Sequence, residues 1–463
     1  MPAPHESSGR RLALIGIITL VTFIAFDTIG VATAMPAVGA DLDAGGAYSL
    51  AFSMFMAAAL AGQGAAGGWV DAVGPGRPLL VGVVLFVAGM IGCALAPTLA
   101  VLLLSRSVSG VGGGMVTVTI YVIIAATYTE ADRPRVFGYI SAAWVLPALV
   151  GPGVAGWLAT NLSWRAVFWV GVPFAVLAGG TVLRTARIER PAEHDVTGVR
   201  RRAVRAVLLA TAVAVLPWAV QSSGALVVRV LAGGCSAVAI VVVLPRLLPP
   251  GTLRGARGLP AVVAFRAVVP GAYFGAETYI PLALHSQRGM SLTAAGLVLT
   301  AASLGWALGA WLQGRDPRAG VARFPLLVAG AVTVGLGVLA LPLVLWPQVT
   351  AWVGTLIWAL AAIGMGLSVA TTSVLAMVLS PSEARGRDGA SLQLADGLGS
   401  VVGIGIGGAI YAGTRHTLPD PTVFSAIWLV LGVLPLIGVP LALRVRGAST
   451  PAPAGPSMPP LGP

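Results

Sequence analysis

The stretch VLPALVGPGVAGWLA, residues 145–159, decides how this chain folds. It is uncharged and apolar enough for a membrane helix, yet it contains Pro147, Gly151, Pro152 and Gly156. Inside a soluble helix each proline costs about 3 kcal/mol and each glycine about 1 kcal/mol relative to alanine. A bilayer tolerates such residues, because neighbouring helices satisfy the freed backbone groups and small residues let helices approach closely. The stretch predicts a kinked helix in a packed bundle. Because a kinked helix can act as a moving joint between helices, it favours a transporter over a receptor or a membrane enzyme.

The composition places the whole chain in a membrane. Of its 463 residues 57% are hydrophobic and 10% are charged, whereas about a quarter of the residues in a soluble protein are charged. The net charge of +12 comes from arginines in short loops, so we expect no nucleic-acid partner. Cys93 and Cys235 lie in apolar spans and the four histidines are scattered. These features predict no disulfide framework, no metal site and no cofactor other than protons as a coupling ion.

The apolar segments can be counted, since each approaches the ~20 residues that cross a ~30 Å hydrocarbon core. Arg10 and Arg11 give the first span a resemblance to a signal peptide, but that span is too long and contains Asp27, so we expect a retained helix. Fourteen spans result: 12–37, 49–70, 78–98, 100–127, 136–160, 165–183, 204–220, 224–247, 259–284, 291–313, 322–345, 349–379, 389–413 and 423–445.

The arginines predict the orientation of these spans. With the N-terminus inside the cell, the outer segments hold only Arg165, Arg288 and Arg415, with Arg229 near an outer helix end, and the remaining loop arginines lie inside. We therefore expect a multi-pass protein of a bacterial cytoplasmic membrane with both termini in the cytoplasm.

The expected organisation is all-α, with two six-helix bundles and an extra two-helix hairpin between them. No loop is long enough to hold an enzyme, and no phosphate-binding GxxxxGK[ST] run is present. The predicted parts are a cytoplasmic N-terminus (1–11), an N-terminal bundle (12–183), a charged cytoplasmic loop (184–203), the hairpin (204–247), a C-terminal bundle (259–446) and a disordered cytoplasmic tail (447–463).

Four ionisable residues inside predicted spans are candidates for coupling, since a charge costs at least ~2.5–3.5 kcal/mol there. Arg106 lies about two turns from the outer surface, and Asp27, roughly 24 Å from the inner end, reaches a similar depth. Glu277 lies at that depth in the ninth span, and Asp396 is a further coupling candidate. These groups predict a proton relay, with a static buried ion pair as the alternative. Arg266, near an inner helix end, is expected to extend to the membrane surface, the alternative being a role in substrate binding.

Three further sets of residues have expected roles. The loop GGWVDAVGPGRPLL, with Gly67, Asp71, Gly74 and Arg77, suits a cytoplasmic latch, the alternative being an ordinary short loop. The glycines of the thirteenth span, Gly397, Gly399, Gly403 and Gly405, are expected to be a close-packing surface and not a site. Polar and aromatic residues inside the spans are candidates to line a substrate cavity: Gln63, Tyr121, Trp144, Tyr273, Tyr279, Trp306, Trp358 and Gln393.

In their order and spacing these motifs resemble the major facilitator superfamily, and within it the group of fourteen-span drug:proton antiporters. The loop with Asp71 resembles the superfamily's loop signature, although Ala72, Pro75 and Gly76 depart from it. Arg106 with Gly110 matches the fourth-helix motif, whose arginine the resemblance implicates in proton transfer, and FDTIGVATAMP and NLSWRAVFWVGVPF resemble the first-helix signature and the start of the sixth helix. The fifth-helix antiporter motif is matched by Gly138, Pro147, Gly151, Pro152, Ala155 and Gly156, where Pro147 and Ala155 replace glycines.

The resemblance implies a monomeric, proton-coupled antiporter that exports drug-like or amphipathic small molecules by rocking its two bundles about a central cavity. Export of a dedicated metabolite, such as a lipid, a siderophore or a self-made antibiotic, is the alternative. A polytopic membrane enzyme would need clustered acids, histidines or metal ligands on a sizeable loop, which the sequence lacks. A receptor-like protein without transport stays open at this point.

Overall fold

The structure, a computed structural model, describes residues 4–129, 132–185, 196–222, 225–318, 320–381 and 384–446. Within these ranges fourteen helical spans are long and apolar enough to cross a membrane, which confirms the predicted number. The α-helices are α1 (Pro4–Asp41), α2 (Leu50–Val73), α3 (Gly76–Ala94), α4 (Leu99–Thr127), α5 (Arg133–Asn161), α6 (Trp164–Thr185), α7 (Val196–Gln221), α8 (Leu226–Val243), α9 (Leu259–Glu277), α10 (Ile280–Arg288), α11 (Leu292–Gly314), α12 (Phe324–Ala340), α13 (Val353–Leu379), α14 (Arg385–Thr414) and α15 (Asp420–Val445).

The helices form two bundles and a hairpin. Helices α1–α6 pack among themselves as the N-bundle, and α9–α15 pack as the C-bundle. The bundles meet along two seams, where α5 contacts α11 and where α2 contacts α14. The hairpin of α7 and α8 lies beside the second seam, since α7 packs on both α2 and α14. We call the end of the molecule with the α1–α2 connection the outer end, following the arginine distribution.

Small residues set the distances between helices. A Cβ on Gly114 would lie 2.0 Å from the Ala59 carbonyl oxygen, so α4 touches the backbone of α2. A Cβ on Gly403 would lie 1.8 Å from the Gly271 carbonyl oxygen, and one on Gly399 would lie 1.9 Å from that of Ala267. The predicted close-packing role of the glycines in the thirteenth span is confirmed for these two, because α14 and α9 could not approach so closely with larger residues.

The structure differs from the predicted spans in two places. The ninth span is not one continuous helix to residue 284, because α9 ends at Glu277 and α10 begins at Ile280. Pro281 has no N–H to donate to the Glu277 carbonyl, so the helical hydrogen bond between these residues cannot form. The charged segment 184–203 is not a loop throughout, since α7 begins at Val196. Arginine and alanine favour helix, and VRRRAVRAV extends α7 ahead of its apolar part. Residues 186–195 and the predicted tail, 447–463, lie outside the described residues.

Candidate functional site between the two bundles

A buried ion pair joins α1 and α4. The Arg106 Nη1 donates to the Asp27 Oδ2 at 2.7 Å, and the two side chains are only 2% and 1% exposed. The Arg106 Nε also donates to the Ala51 carbonyl of α2 at 3.3 Å, and its guanidinium carbon lies 4.2 Å from the centre of the Phe55 ring. Cationic and anionic charge thus compensate each other where neither could be solvated. Asp27 and Arg106, for which the sequence predicts a similar depth, are in direct contact.

Glu277 faces the same region from the other bundle. A cavity of about 80 Å³ lies between the bundles, and both Arg106 and Glu277 are part of its wall. Glu277 is the last residue of α9, where the helix is interrupted, and the Trp358 indole lies beside its carboxyl group. The remaining wall is mostly apolar and consists of Thr28, Ile29, Ala32, Phe52, Phe55, Met56, Phe274, Thr278, Leu299 and Ile404. The volume is well below the ~300–1,000 Å³ of ligand pockets, so a drug-sized molecule needs the bundles to separate.

Three tyrosines cover the outer side of this cavity. Tyr48 precedes α2, Tyr279 lies between α9 and α10, and Tyr411 lies in α14, so the cluster joins both bundles. Their ring centres are 5.7 Å apart for Tyr48 and Tyr279, 6.4 Å for Tyr48 and Tyr411, and 5.4 Å for Tyr279 and Tyr411. Tyr48 and Tyr279 are buried, and Phe52 of the cavity wall lies one turn below Tyr48. The described state is therefore closed at its outer end.

The fifth-helix stretch forms the α5–α11 seam between the bundles. A Cβ on Gly156 would lie 2.6 Å from the Thr293 Cα of α11, and one on Gly296 of α11 would lie 2.7 Å from the Pro152 carbonyl oxygen. Ala155 faces the opposite way and packs, fully buried, against Gly30 of α1. All six motif positions, from Gly138 to Gly156, lie in α5 with Pro147 and Pro152 in its interior. The stretch thus joins α1 on one side to α11 on the other.

A polar contact accompanies this seam. Pro152 has no N–H to donate to the Ala148 carbonyl four residues earlier, so that carbonyl lacks its helical partner. The Ser303 hydroxyl of α11 donates to it at 3.1 Å, sharing its hydrogen with its own Leu299 carbonyl at 3.2 Å. The Thr300 hydroxyl donates to the next carbonyl, that of Leu149, at 3.2 Å. Both hydroxyls come from the opposite bundle.

A second ion pair lies within the C-bundle, where the expectation for Arg266 is wrong. Its side chain does not extend to the membrane surface but is buried, with Nε 3.1 Å from the Asp396 Oδ1. Its Nη1 donates to the Val369 carbonyl at 2.8 Å and to the Thr372 hydroxyl at 2.9 Å. The carboxylate of α14 compensates the charge of the guanidinium, and these acceptors of α13 bind its Nη1, so the side chain has no need of the interface. The Asp396 side chain is 29% exposed.

None of the eight predicted substrate residues is among those that line the 80 Å³ cavity. Tyr273 and Trp358 instead stack on each other inside the C-bundle, with ring centres 4.3 Å apart and Trp306 at an edge of Tyr273. Tyr279 belongs to the outer tyrosine cluster. Periodicity cannot tell a cavity face from a face that packs on a neighbouring helix, so a role of these side chains in substrate binding stays a prediction.

The other four predicted residues lie further inward. Gln63 is two turns from the cavity residue Met56 on α2, and Gln393 is three turns from Ile404 on α14, so each continues a cavity face towards the inner end. Gln63 is half-buried, whereas Tyr121, Trp144 and Gln393 are exposed. These positions are outside the enclosed cavity but on the side to which it would open.

The predicted latch lies at the α2–α3 connection. Gly74 ends α2 with a φ of 80°, a conformation that favours glycine, and its N–H donates to the Val70 carbonyl. Gly67 lies within α2, and Arg77 is an exposed residue in the first turn of α3. The side chain of Asp71 lies outside the described residues, so its partner stays a prediction.

Several residues of the site could not be found from the sequence. Phe52, Phe55 and Phe274 read as ordinary apolar helix residues, and only the packing places them at the cavity. Pro152 does signal a carbonyl in need of a donor, but nothing in the sequence points to Ser303.

The start of α6 carries another contact for which the sequence predicts no partner. Arg165 pairs with Asp41 at 2.9 Å, and the Trp164 indole donates to the same carboxylate at 3.0 Å.

Comparisons with known proteins agree with this architecture. An uncharacterized transporter of Mycobacterium tuberculosis is 27% identical over 95% of this chain, which spans only 65% of that protein's length. The multidrug transporter protein MdtP of Bacillus subtilis is 23% identical over 91% of this chain and 79% of its own. The transporter of the acurin A biosynthesis cluster of Aspergillus aculeatus is 26% identical over 43% of this chain and 36% of its own length.

Solved structures show the same fold at low identity. A peptide transporter crystallised with sulfate superposes with a TM-score of 0.67 over 94% of this chain and 96% of its own, at 17% identity. A D-xylose–proton symporter does so with a TM-score of 0.62 over 94% of this chain and 98% of its own, at 14% identity. The model of the Major Facilitator Superfamily matches residues 15–387. With its fourteen described spans, its two bundles and this match, the chain belongs to the Major Facilitator Superfamily.

Proposed function

We propose that this protein is a proton-coupled antiporter that exports drug-like or amphipathic small molecules across the cytoplasmic membrane, with both termini inside. One observation carries the proposal: ionisable groups of both bundles, Arg106 with its partner Asp27 and Glu277, converge on one apolar cavity. The names of its relatives, among them a multidrug transporter, give further support.

The apolar wall suits the substrate class. Phe52, Phe55 and Phe274 offer aromatic surface, and the hydroxyls of Thr28 and Thr278 are among the few polar groups of the wall. A pocket of this kind binds amphipathic molecules through burial and fixes their orientation with a few polar contacts. Small molecules, protons and the bilayer are then the partners, and no contact with a second copy is required, so we propose a monomer.

The coupling step follows from the charge balance of the cavity. In the outer-open state a proton from outside neutralises Glu277 or Asp27. Protonation of Asp27 leaves the Arg106 charge buried without its counter-charge, which is unfavourable enough to drive a rearrangement of α1 against α4. Return to the inner-open state releases the proton inside. Asp396, 29% exposed and held by Arg266, lies on the inner side of Glu277 and is the next carboxylate that the proton meets.

The test is proton-coupled efflux in proteoliposomes, with a lipophilic dye and an internal pH indicator recorded together under an imposed pH gradient. Asp27→Asn, Glu277→Gln and Arg106→Ala should each lose dye flux and substrate-dependent proton flux together. Asp316→Asn is the matched control, since Asp316 pairs with Arg318 outside the spans and should leave both fluxes intact. Unchanged coupled flux in all three variants would contradict the proposal.

Export of a dedicated metabolite is a second candidate, favoured by the similarity to the acurin A biosynthesis cluster transporter. The same carboxylates would couple it to protons. A susceptibility screen in a strain without its own efflux pumps separates the two candidates: resistance to many unrelated compounds supports the first, and resistance to one chemical class supports the second.

A further inference from the structure

The coupling mechanism proposed above gives no role to the hairpin of α7 and α8. The hairpin nevertheless lies beside the α2–α14 seam, where the two bundles must move against each other. Helix α8 lies at the periphery of the molecule, and Ser236 is its one buried residue. The exposed residues of α8 are apolar, as expected of a helix surrounded by lipid: Leu226, Val227, Val228, Val230, Leu231, Val238, Val241 and Val242. Helix α7 lies between α8 and the two bundles.

Helix α7 covers the seam between α2 and α14. Leu209, Ala210 and Val213 of α7 form one buried cluster with residues of both bundles. The partners are Ala57 and Leu60 of α2 in the N-bundle, and Leu398 and Val401 of α14 in the C-bundle. Lipid is thereby kept away from this seam, whereas α5 and α11 meet directly at the other one.

The two contacts of α7 differ in extent. Towards α2 many residues are in contact, and the helices interlock where a Cβ on Gly64 would lie 2.5 Å from the Ala206 Cβ. Towards α14 fewer residues are in contact: the Pro217 Cβ lies 3.7 Å from the position of a Cβ on Gly405, and the Gln221 side chain comes close to Gly408 at the outer end. An extensive packed surface resists sliding more strongly than a smaller one.

The outer end of α7 is tied to the N-bundle as well. The Ser49 hydroxyl, at the start of α2, donates to the Gln221 Oε1 at 2.9 Å, and both residues are buried. Within the hairpin, Arg229 of α8 donates to the Ala219 and Val220 carbonyls at the end of α7, each at 2.9 Å. These bonds make the hairpin one unit and fix that unit to α2.

We propose that the hairpin is a lipid seal that moves with the N-bundle, and that α7 slides on α14 each time the bundles rock. The seal keeps acyl chains out of the α2–α14 seam in every state of the cycle. It follows that the α7–α14 contact must change during transport, whereas the α7–α2 contact stays as it is. The proposal needs only the alternating motion of the two bundles and holds for any substrate or coupling ion.

Engineered disulfides test this in a background that carries Cys93→Ala and Cys235→Ala. The pair Pro217→Cys with Gly405→Cys joins α7 to α14 at 3.7 Å between Cβ positions, close to the ~3.8 Å of natural disulfides. The pair Ala219→Cys with Gly233→Cys is the matched control, since it joins α7 to α8 at 3.5 Å. Oxidation should abolish dye efflux for the first pair, with recovery after reduction, and leave the control pair active.

A second readout does not depend on any substrate. Spin-label distances in liposomes, recorded over a range of pH, should give one narrow distribution between α7 and α2 and a broad or divided one between α7 and α14. Full transport by the oxidised Pro217–Gly405 pair, or a fixed α7–α14 distance beside a variable α7–α2 distance, would overturn the proposal. If the reduced cysteine variants fold poorly, the spin-label comparison at exposed positions still decides it.

Discussion

The Ser303 hydroxyl of α11 lies 3.1 Å from the Ala148 carbonyl of α5, the carbonyl that Pro152 leaves without its helical donor. The contact joins residues 155 positions apart and crosses from one bundle to the other. The proline inside α5 thus leaves an acceptor for the opposite bundle. Because the contact lies on the same seam as the tight Gly156 crossing, it stabilises the state that is closed at the outer end.

This relationship predicts a coupled pair of mutations. Ser303→Ala should destabilise the outer-closed state, because an unsatisfied buried acceptor costs about 1–3 kcal/mol. Pro152→Ala returns an N–H to the helix, so Ser303→Ala should cost less in that background. The measurement is a double-mutant cycle of thermal unfolding in detergent. Thr333→Val is the control, since Thr333 is half-buried and its hydroxyl donates to the Ala329 carbonyl of its own helix. Strict additivity of the two substitutions would show that Ser303 does not serve this carbonyl.

The glycine crossing predicts opposite outcomes at neighbouring positions of α5. Gly156→Ala places a Cβ 2.6 Å from the Thr293 Cα, so α5 and α11 must separate, at about 1–3 kcal/mol for overpacking. Gly153→Ala meets nothing within 4 Å and should be neutral or stabilising. Thermal stability and labelling of outer-end cysteines measure the effect. Equal behaviour of the two variants would argue against a tight seam at Gly156.

The Asp27–Arg106 pair predicts that stability and transport separate. Asp27→Asn or Arg106→Ala alone should lower the free energy of unfolding by about 3–5 kcal/mol, because each leaves the charge of the other side chain buried without its counter-charge. The double variant Asp27→Leu with Arg106→Met should regain much of the stability, since apolar residues of similar volume often replace a buried pair without loss. Transport should stay absent. Recovery of coupled efflux in the double variant would show that the pair is only structural.

The α2–α3 connection predicts a contrast between two glycines. Gly74→Ala forces a side chain into a φ of 80°, at about 1–3 kcal/mol. Gly67→Ala, inside α2 with nothing within 4 Å, should instead stabilise the helix by about 1 kcal/mol. Unfolding in detergent measures both. A neutral Gly74→Ala would mean that the connection adopts another turn in the membrane.

The fold was largely predictable from the chain alone. Span number follows from local composition, because a membrane helix must satisfy its own backbone and be about 20 apolar residues long. Asp27, Arg106 and Glu277 could likewise be singled out from the sequence as candidate site residues, because a charge within a membrane span is costly and therefore rare. Pro281, by contrast, interrupts the ninth span directly after Glu277, a break that the apolar pattern did not show.

Which groups meet was decided only by the tertiary structure. Asp27 pairs with Arg106, which is 79 positions away in the sequence. Arg266 pairs with Asp396, 130 positions away, against the expectation that Arg266 reaches the membrane surface. Each contact depends on the rotation of two helices, and a shift of one residue turns a side chain by about 100°. Hydropathy constrains length and depth but hardly constrains that rotation when apolar residues surround the helix. The sequence therefore determined the spans, their order and their buried charges, and the packing of one helix against another determined the pairs, the cavity wall and the seams.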